Sequence, residues 1–319
     1  MQETSGIRVS VALVAGALVA GCTASSTPDK LALPGDNFFP YSINAGADDS
    51  IYVGSPATGE VVRFAAGSTR SSVLVPAASP AAGVNGILVD DASGVLYTCT
   101  NTFTSQTTAT AIVRSYDLDG NPGPTYPLPD QGGSLCEELA FDADHTLYAL
   151  DAWGGAVYVK SASAAAFTTW TSDPLLQPTS AASIPFGARG ILIEGSDLYV
   201  TNFNTGALVH IPIEPDGSAG VASAITVTPG LTNPESVRAL DAQHFVVAED
   251  VWESPDGLVS ELTVSGASAT KTVLADHLLG PSTLVIVGDN LWVPLGEVWH
   301  TLDNTPPDSL PFTVERLDR

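Results

Sequence analysis

Cationic side chains are scarce in this chain: 11 Lys and Arg stand against 35 Asp and Glu in 319 residues, a formal net charge of −24. A polyanion would be repelled by that balance, which excludes nucleic acid as a partner. Charged residues of both signs make up only 14% of the chain while 44% are hydrophobic, so disorder is excluded for most of its length. Cysteine is limited to Cys22, Cys99 and Cys136, and the five histidines, at 145, 210, 244, 277 and 300, show no metal-ligand spacing. A zinc-finger module is therefore excluded. The chain has no Gly-x-Ser-x-Gly elbow and no glycine-rich phosphate loop ahead of a helix. Outside the N-terminal segment no long stretch keeps a 3.6-residue apolar period, which sets helical solenoids aside.

What the chain does contain begins with an apolar run from Val9 to Ala20, well short of the roughly 20 residues a spanning helix needs. The run ends in Val19-Ala20-Gly21-Cys22, which resembles the lipobox of bacterial lipoproteins. That resemblance implies a cleaved signal peptide over residues 1–21, a lipidated Cys22 and a short tether over 22–29. The protein is then expected on the bacterial cell envelope, facing periplasm or exterior, touching membrane only through its lipid. In such an oxidising compartment Cys99 and Cys136 are candidates to pair, with two separately buried thiols as the alternative.

From residue 30 onward the sequence repeats. Ile51-Tyr52-Val53, Leu96-Tyr97-Thr98, Leu147-Tyr148-Ala149, Leu198-Tyr199-Val200, Phe245-Val246-Val247 and Leu291-Trp292-Val293 recur at intervals of 45, 51, 51, 47 and 46 residues. A second apolar segment precedes most copies across a short turn such as Asp91-Ala92-Ser93-Gly94 or Glu194-Gly195-Ser196-Asp197, which reads as a hairpin. A third strand and a weaker fourth follow, as at Val61-Val62-Arg63-Phe64 and Val73-Leu74-Val75. Four strands per period of about 45 residues is the signature of a β-propeller blade, which buries its faces only by stacking on neighbours. The predicted fold is all-β: a six-bladed propeller of four-stranded antiparallel blades over residues 30–319. The last unit ends in its third strand, Phe312 to Leu317, so Lys30-Leu31-Ala32-Leu33 is expected to supply the fourth and close the ring.

First strands of blades line the axis, so the residue at the mouth of each should face a common funnel. By period these are Tyr41, Asn85, Glu137, Arg189, Glu235 and Ser282. The ends of the tyrosine strands add Asn101, Asp151, Trp153, Asn202, Asn204, Glu249 and Asp250. His300, in the long loop before the final strand, is the one histidine with a position from which to overhang the funnel, though the simpler reading is a loop residue.

The order of Phe39-Pro40-Tyr41-Ser42-Ile43, the tyrosine strands, Gly59-Glu60-Val61-Val62-Arg63-Phe64 and Leu310-Pro311-Phe312-Thr313-Val314-Glu315-Arg316 resembles the SMP-30/gluconolactonase family. The resemblance implies a six-bladed propeller whose funnel binds one divalent cation and hydrolyses lactones or related esters. Where relatives present a first-blade glutamate, a fourth-blade asparagine and a fifth-blade aspartate, this chain has Tyr41, Arg189 and Glu235. A guanidinium has five donors and no acceptor, so Arg189 cannot replace a ligating oxygen. The metal site is read as lost, with a Glu137–Arg189–Glu235 network in its place, because two carboxylates about 6 Å apart repel by about 3 kcal/mol unless a cation lies between them. No cofactor is favoured, Ca²⁺ or another divalent cation being the alternative. Two functions follow: a monomer binding a small polar or sugar-like ligand, or a protein at its rim, with little catalysis; or a lactonase-type hydrolase with Glu235 as general base and a cation or Arg189 as stabiliser.

Overall fold

A computed structural model describes Met1 and residues 29–77, 82–105, 108–130, 132–179 and 185–318. The lipobox-like segment, Cys22 and nearly all of the expected tether lie outside the described residues. Strand β1 (Lys30–Ala32) comes first. The sheet that follows contains β2 (Ser42–Ala45), β3 (Ile51–Gly54), β4 (Val61–Phe64) and β5 (Ser71–Val75). Next comes a sheet of β6 (Gly83–Asp90), β7 (Val95–Ser105), β8 (Thr108–Asp117) and β9 (Pro122–Pro127). A third holds β10 (Cys136–Phe141), β11 (Leu147–Asp151), β12 (Ala156–Lys160) and β13 (Thr168–Thr171). The chain continues through β14 (Ala188–Glu194), β15 (Asp197–Asn202), β16 (Ala207–Pro212) and β17 (Ser223–Thr228). Then follow β18 (Pro234–Ala239), β19 (His244–Glu249), β20 (Gly257–Ser265) and β21 (Ser268–Leu278). Last come β22 (Val285–Val287), β23 (Asn290–Leu295), the short helix α1 (Trp299–Asp303) and β24 (Thr313–Asp318).

Within each run the strands pair antiparallel in chain order, giving a β-propeller arrangement of four-stranded sheets. Two of these runs are fused: β17 and β21 pair in parallel, Thr226 opposite Ser268 and Thr228 opposite Thr270, so β14 to β21 form one eight-stranded sheet. The last sheet is completed from the other end of the chain. There β1 pairs antiparallel with β24, Leu31 opposite Val314, as the apolar pattern of Lys30 to Leu33 predicts.

Period-two alternation explains the core. Ile51 and Val53 enter a cluster shared with the β22–β24 sheet, whereas Tyr52 between them packs with Val84, Ile87 and Leu96 of the next sheet. Likewise Leu147 and Ala149 face Cys99 and Val113, while Tyr148 and Leu150 face Ile191 and Val200. Each tyrosine strand is thus buried on both faces against different neighbours, which is why it reads as a continuous apolar run. Six such clusters occur among the described residues. A disulfide joins Cys99 on β7 to Cys136 on β10 across one of them, with Cα atoms 5.2 Å apart.

Candidate functional site

The ladder is irregular where first strands meet the axis. Register shifts fall between Val84 and Gly86, Cys136 and Leu139, Ala188 and Ile191, and Pro234 and Ser236. These β-bulges flank Asn85, Glu137, Arg189 and Glu235, and a bulge re-aims the side chain it carries. Close approach of neighbouring first strands also dictates the glycines that follow two of these residues. A Cβ on Gly86 would lie 2.5 Å from the Glu137 carbonyl oxygen, and one on Gly190 would lie 2.6 Å from Ser236 Cα.

Four of the six mouth residues converge. Arg189 Nε donates to Glu235 Oε2 at 2.7 Å, and its Nη2 is 2.5 Å from the same oxygen. Nε also lies 3.2 Å from Glu137 Oε1. The Tyr41 hydroxyl accepts from Arg189 Nη2, donates to Glu137 Oε1 and lies 2.7 Å from Glu235 Oε2. None of the four residues is more than 3% exposed. Arg189 does not hold Glu235 through a two-oxygen fork, since both nitrogens converge on one oxygen. Consequently Glu235 Oε1 and Glu137 Oε2 have no hydrogen-bond partner, nor does Asp250 Oδ1.

Burial raises the pKa of Glu137 to about 7, with Arg189 opposing the rise and Glu235 adding to it. Burial also raises Glu235, again opposed by Arg189. Asp250 is pushed well above the carboxylate range, first by burial and then by the charge of Glu235. For Arg189 burial lowers the pKa, but Glu137 and Glu235 more than offset it, so the guanidinium stays charged.

The remaining mouth residues serve the scaffold. Asn85 Oδ1 accepts from Asn101 at 3.1 Å, and Asn101 also clamps the backbone N–H and carbonyl of Cys136. The Ser282 hydroxyl donates to the Tyr41 carbonyl at 2.7 Å.

Asp151, Asn202 and Glu249, expected in the funnel, are instead clamps within their own sheets. Asp151 accepts from Leu135 N, Gly154 N and the Ser134 hydroxyl. Asn202 donates to the carbonyls of Leu175 and Gln177, and Glu249 accepts from Thr232 N and Ser260 and pairs with Lys271 at 3.0 Å. Each ties the end of a second strand to the segment entering the first. The residue one step further along faces the axis: Phe203 after Asn202, and Asp250 after Glu249. Phe203 was missed by sequence reasoning, although its place in the repeat, matching Asp250, was available as a signal.

An aromatic wall rises above Arg189. Its guanidinium carbon is 4.3 Å from the Phe186 ring centroid and 5.1 Å from that of Phe203, within cation–π range. Trp252 packs 6.3 Å from Phe186 and 6.0 Å from Phe203, and Trp299 stands 6.4 Å beyond it. Phe186 and Trp252 are half-buried, so this wall rather than the polar tetrad meets solvent. A second ion pair also lay outside the sequence reading: Glu138 pairs with Arg238 and accepts from Ile191 N at 2.8 Å, binding three first strands together.

The donors at the axis do not fit the divalent cation that the family resemblance implies. Glu137, Glu235 and Asp250 offer oxygens, but the Arg189 guanidinium hydrogen-bonds among them, and a second cation there would be repelled.

No protein-family model matches the chain, and no curated protein matches it. Solved structures do. The major allergen Mala s 1 of Malassezia sympodialis aligns with a TM-score of 0.68 at 13% identity, covering 91% of this chain and 96% of that one. Virginiamycin B lyase from Staphylococcus aureus aligns at 0.58 and 14% identity, over 91% of this chain and 98% of that one. The PQQ-bound aldose sugar dehydrogenase of Streptomyces coelicolor aligns at 0.58 and 15% identity, over 92% of this chain and 99% of that one. At such identities the likeness shows the propeller fold alone.

Proposed function

We propose that this protein is an envelope-anchored binding propeller of the SMP-30/gluconolactonase-like kind with a degenerate metal site, and that it takes a small polar or sugar-like ligand with little or no catalysis. In this reading the ring has six blades, the eight-stranded sheet counting as two joined at their outer strands. Residues 1–21 are the signal, Cys22 carries the lipid, residues 22–29 are the tether and the propeller works as a monomer. The lipobox-like Val19-Ala20-Gly21-Cys22 supports the anchoring.

The observation that carries the binding reading is the closed tetrad of Tyr41, Glu137, Arg189 and Glu235. A general base must come within about 2.6–3.2 Å of the proton it removes. The Glu235 side chain is wholly buried and spends one oxygen on Arg189 and Tyr41. The half-buried aromatic wall of Phe186 and Trp252 offers a ligand flat apolar faces above a charged floor, an arrangement suited to a sugar ring. One observation favours the runner-up, a lactone or ester hydrolase with Glu235 as base: its Oε1 is unpartnered.

A panel of aldonolactones and sugars separates the two. Binding without turnover, weakened at least tenfold by Trp252→Ala, is the expected result. Turnover abolished by Glu235→Gln would establish the hydrolase instead. Tyr41→Glu combined with Arg189→Asn is expected to create Ca²⁺ binding at the axis, measured by calorimetry; no gain would count against the alignment with the lactonases.

A further inference from the structure

The loop between β23 and β24 gathers the ligating side chains of Glu297, His300 and Asp308, whose nearest atoms lie within 4.8 Å of one another. His300 Nε2 is 3.5 Å from Glu297 Oε2 and 3.5 Å from Asp308 Oδ2. Its other ring nitrogen, Nδ1, lies 2.6 Å from the Thr305 hydroxyl. Nε2 itself is buried and has no hydrogen-bond partner.

With Nδ1 taken up by Thr305, Nε2 faces two carboxylate oxygens at 3.5 Å with no hydrogen bond to either, a gap that a cation ligated by all three side chains would fill. Tetrahedral coordination with bonds of about 2.0–2.1 Å puts neighbouring ligand atoms about 3.3–3.4 Å apart; the two His300 distances of 3.5 Å are close to this, and the two carboxylates lie within 4.8 Å of one another. Thr305 then holds the tautomer and ring orientation, as outer partners of metal-bound histidines do.

We propose that Glu297, His300 and Asp308 bind one divalent first-row transition cation of the zinc class, at a site separate from the funnel. One imidazole and two carboxylates suit such an ion, whereas Ca²⁺ takes six to eight oxygens. The carboxylate of Glu297 is pre-set by accepting from Asp308 N at 2.5 Å and Ser309 N at 3.1 Å, which also brings Asp308 into place. Asp308 is 67% exposed and provides the entry path, while the Glu297 side chain is 2% exposed and forms the floor. The bound ion would pin residues 297–308 into one unit. Trp299, beside His300, would thereby be fixed against Trp252 at the rim of the funnel.

The test uses the tag-free full chain carrying Cys22→Ser, which prevents lipidation and leaves no thiol outside the Cys99–Cys136 disulfide as a competing ligand. Titration with ZnCl₂ by calorimetry, zinc content after desalting, and thermal unfolding with and without zinc are the readouts. One equivalent per chain and a raised Tm are expected. His300→Ala should lose binding by at least 100-fold and Asp308→Asn by at least tenfold, while Thr305→Val should weaken it about tenfold. Because Asp308 is an exposed side chain, its variant reports on the site even if His300→Ala disturbs the loop. Absence of saturable zinc uptake, or uptake unchanged in both His300→Ala and Asp308→Asn, would overturn the proposal. So would saturable Ca²⁺ binding at the triad without zinc binding.

Discussion

Removing the guanidinium of Arg189 would leave Glu137 and Glu235 buried together with no counter-charge. Breaking a buried pair by deleting one partner costs about 3–5 kcal/mol, so Arg189→Met should lower the stability measured by urea unfolding by that order. Glu137 adds a pH dependence whose sign follows from its raised pKa. Between the ordinary carboxylate pKa of 4.5 and the native value of about 7 the folded state holds more protons than the unfolded one. Its stabilising share is therefore fully present below 4.5 and lost as pH rises through 7; Glu235 and Asp250 act in the same direction. Unfolding midpoints recorded from pH 4.5 to 7.5 should fall, and Glu137→Gln should flatten that slope. A slope left unchanged by Glu137→Gln would mean that Glu137 stays ionised in the fold over that range. The meeting of Arg189, Glu137 and Glu235 was legible because the repeat places equivalent positions around one axis. The sharing of a single oxygen was not, because it depends on the hydroxyl of Tyr41 reaching in from the segment just ahead of β2.

At the scale of the strand, legibility ended at a one-residue step. The pattern correctly placed the tyrosine strands and their hairpins, since Leu147-Tyr148-Ala149-Leu150 is apolar on both faces and a propeller strand must be. Beyond the last paired residue the chain turns, and inward and outward exchange over one position. Hence Asn202 and Glu249 clamp backbone while Phe203 and Asp250 face Arg189. Bulges at the first strands had no sequence signal except the glycines after Asn85 and Arg189. Gly190→Ala tests that packing. Its new methyl would collide with the Ser236 backbone, an overpacking expected to cost about 1–3 kcal/mol or more in the unfolding free energy, whereas Gly195→Ala, at an open turn, would act only through its positive φ. The Cys99–Cys136 cross-link, spanning 37 residues, should contribute about 2–4 kcal/mol, measured by comparing the Cys99→Ala/Cys136→Ala double variant with the oxidised protein.

For the whole molecule the decisive problem is what becomes of strand edges, each of which can recruit another chain. Two outer edges are spent on each other through the parallel pairing of β17 with β21, a junction the repeat could not reveal because it joins the weakest strand of one unit to that of the next. The edge left by β24 is covered by β1, and several contacts fasten it there. Leu31 and Leu33 are 2% and 3% exposed within the cluster of Phe312 and Val314. Leu33 N donates to the Phe312 carbonyl at 2.9 Å, and Arg316 N donates to that of Asp29 at 2.8 Å. Arg316 also reaches the Asp29 carboxylate at 2.5 Å, and Lys30 pairs with Glu315. The surface ion pairs are worth little, so the apolar side chains and the ladder bear the closure. Leu31→Ala should cost about 2–5 kcal/mol, the range for a buried leucine. Deleting residues 29–33 goes further, leaving the outer edge of β24 unpaired and Val314 uncovered while β23 still pairs the inner edge. That variant is expected to unfold at lower temperature and to self-associate with rising concentration, seen by sedimentation velocity. If it stayed monomeric with its unfolding midpoint unchanged, closure by β1 would be dispensable and the ring would have to be held by the inter-sheet clusters alone.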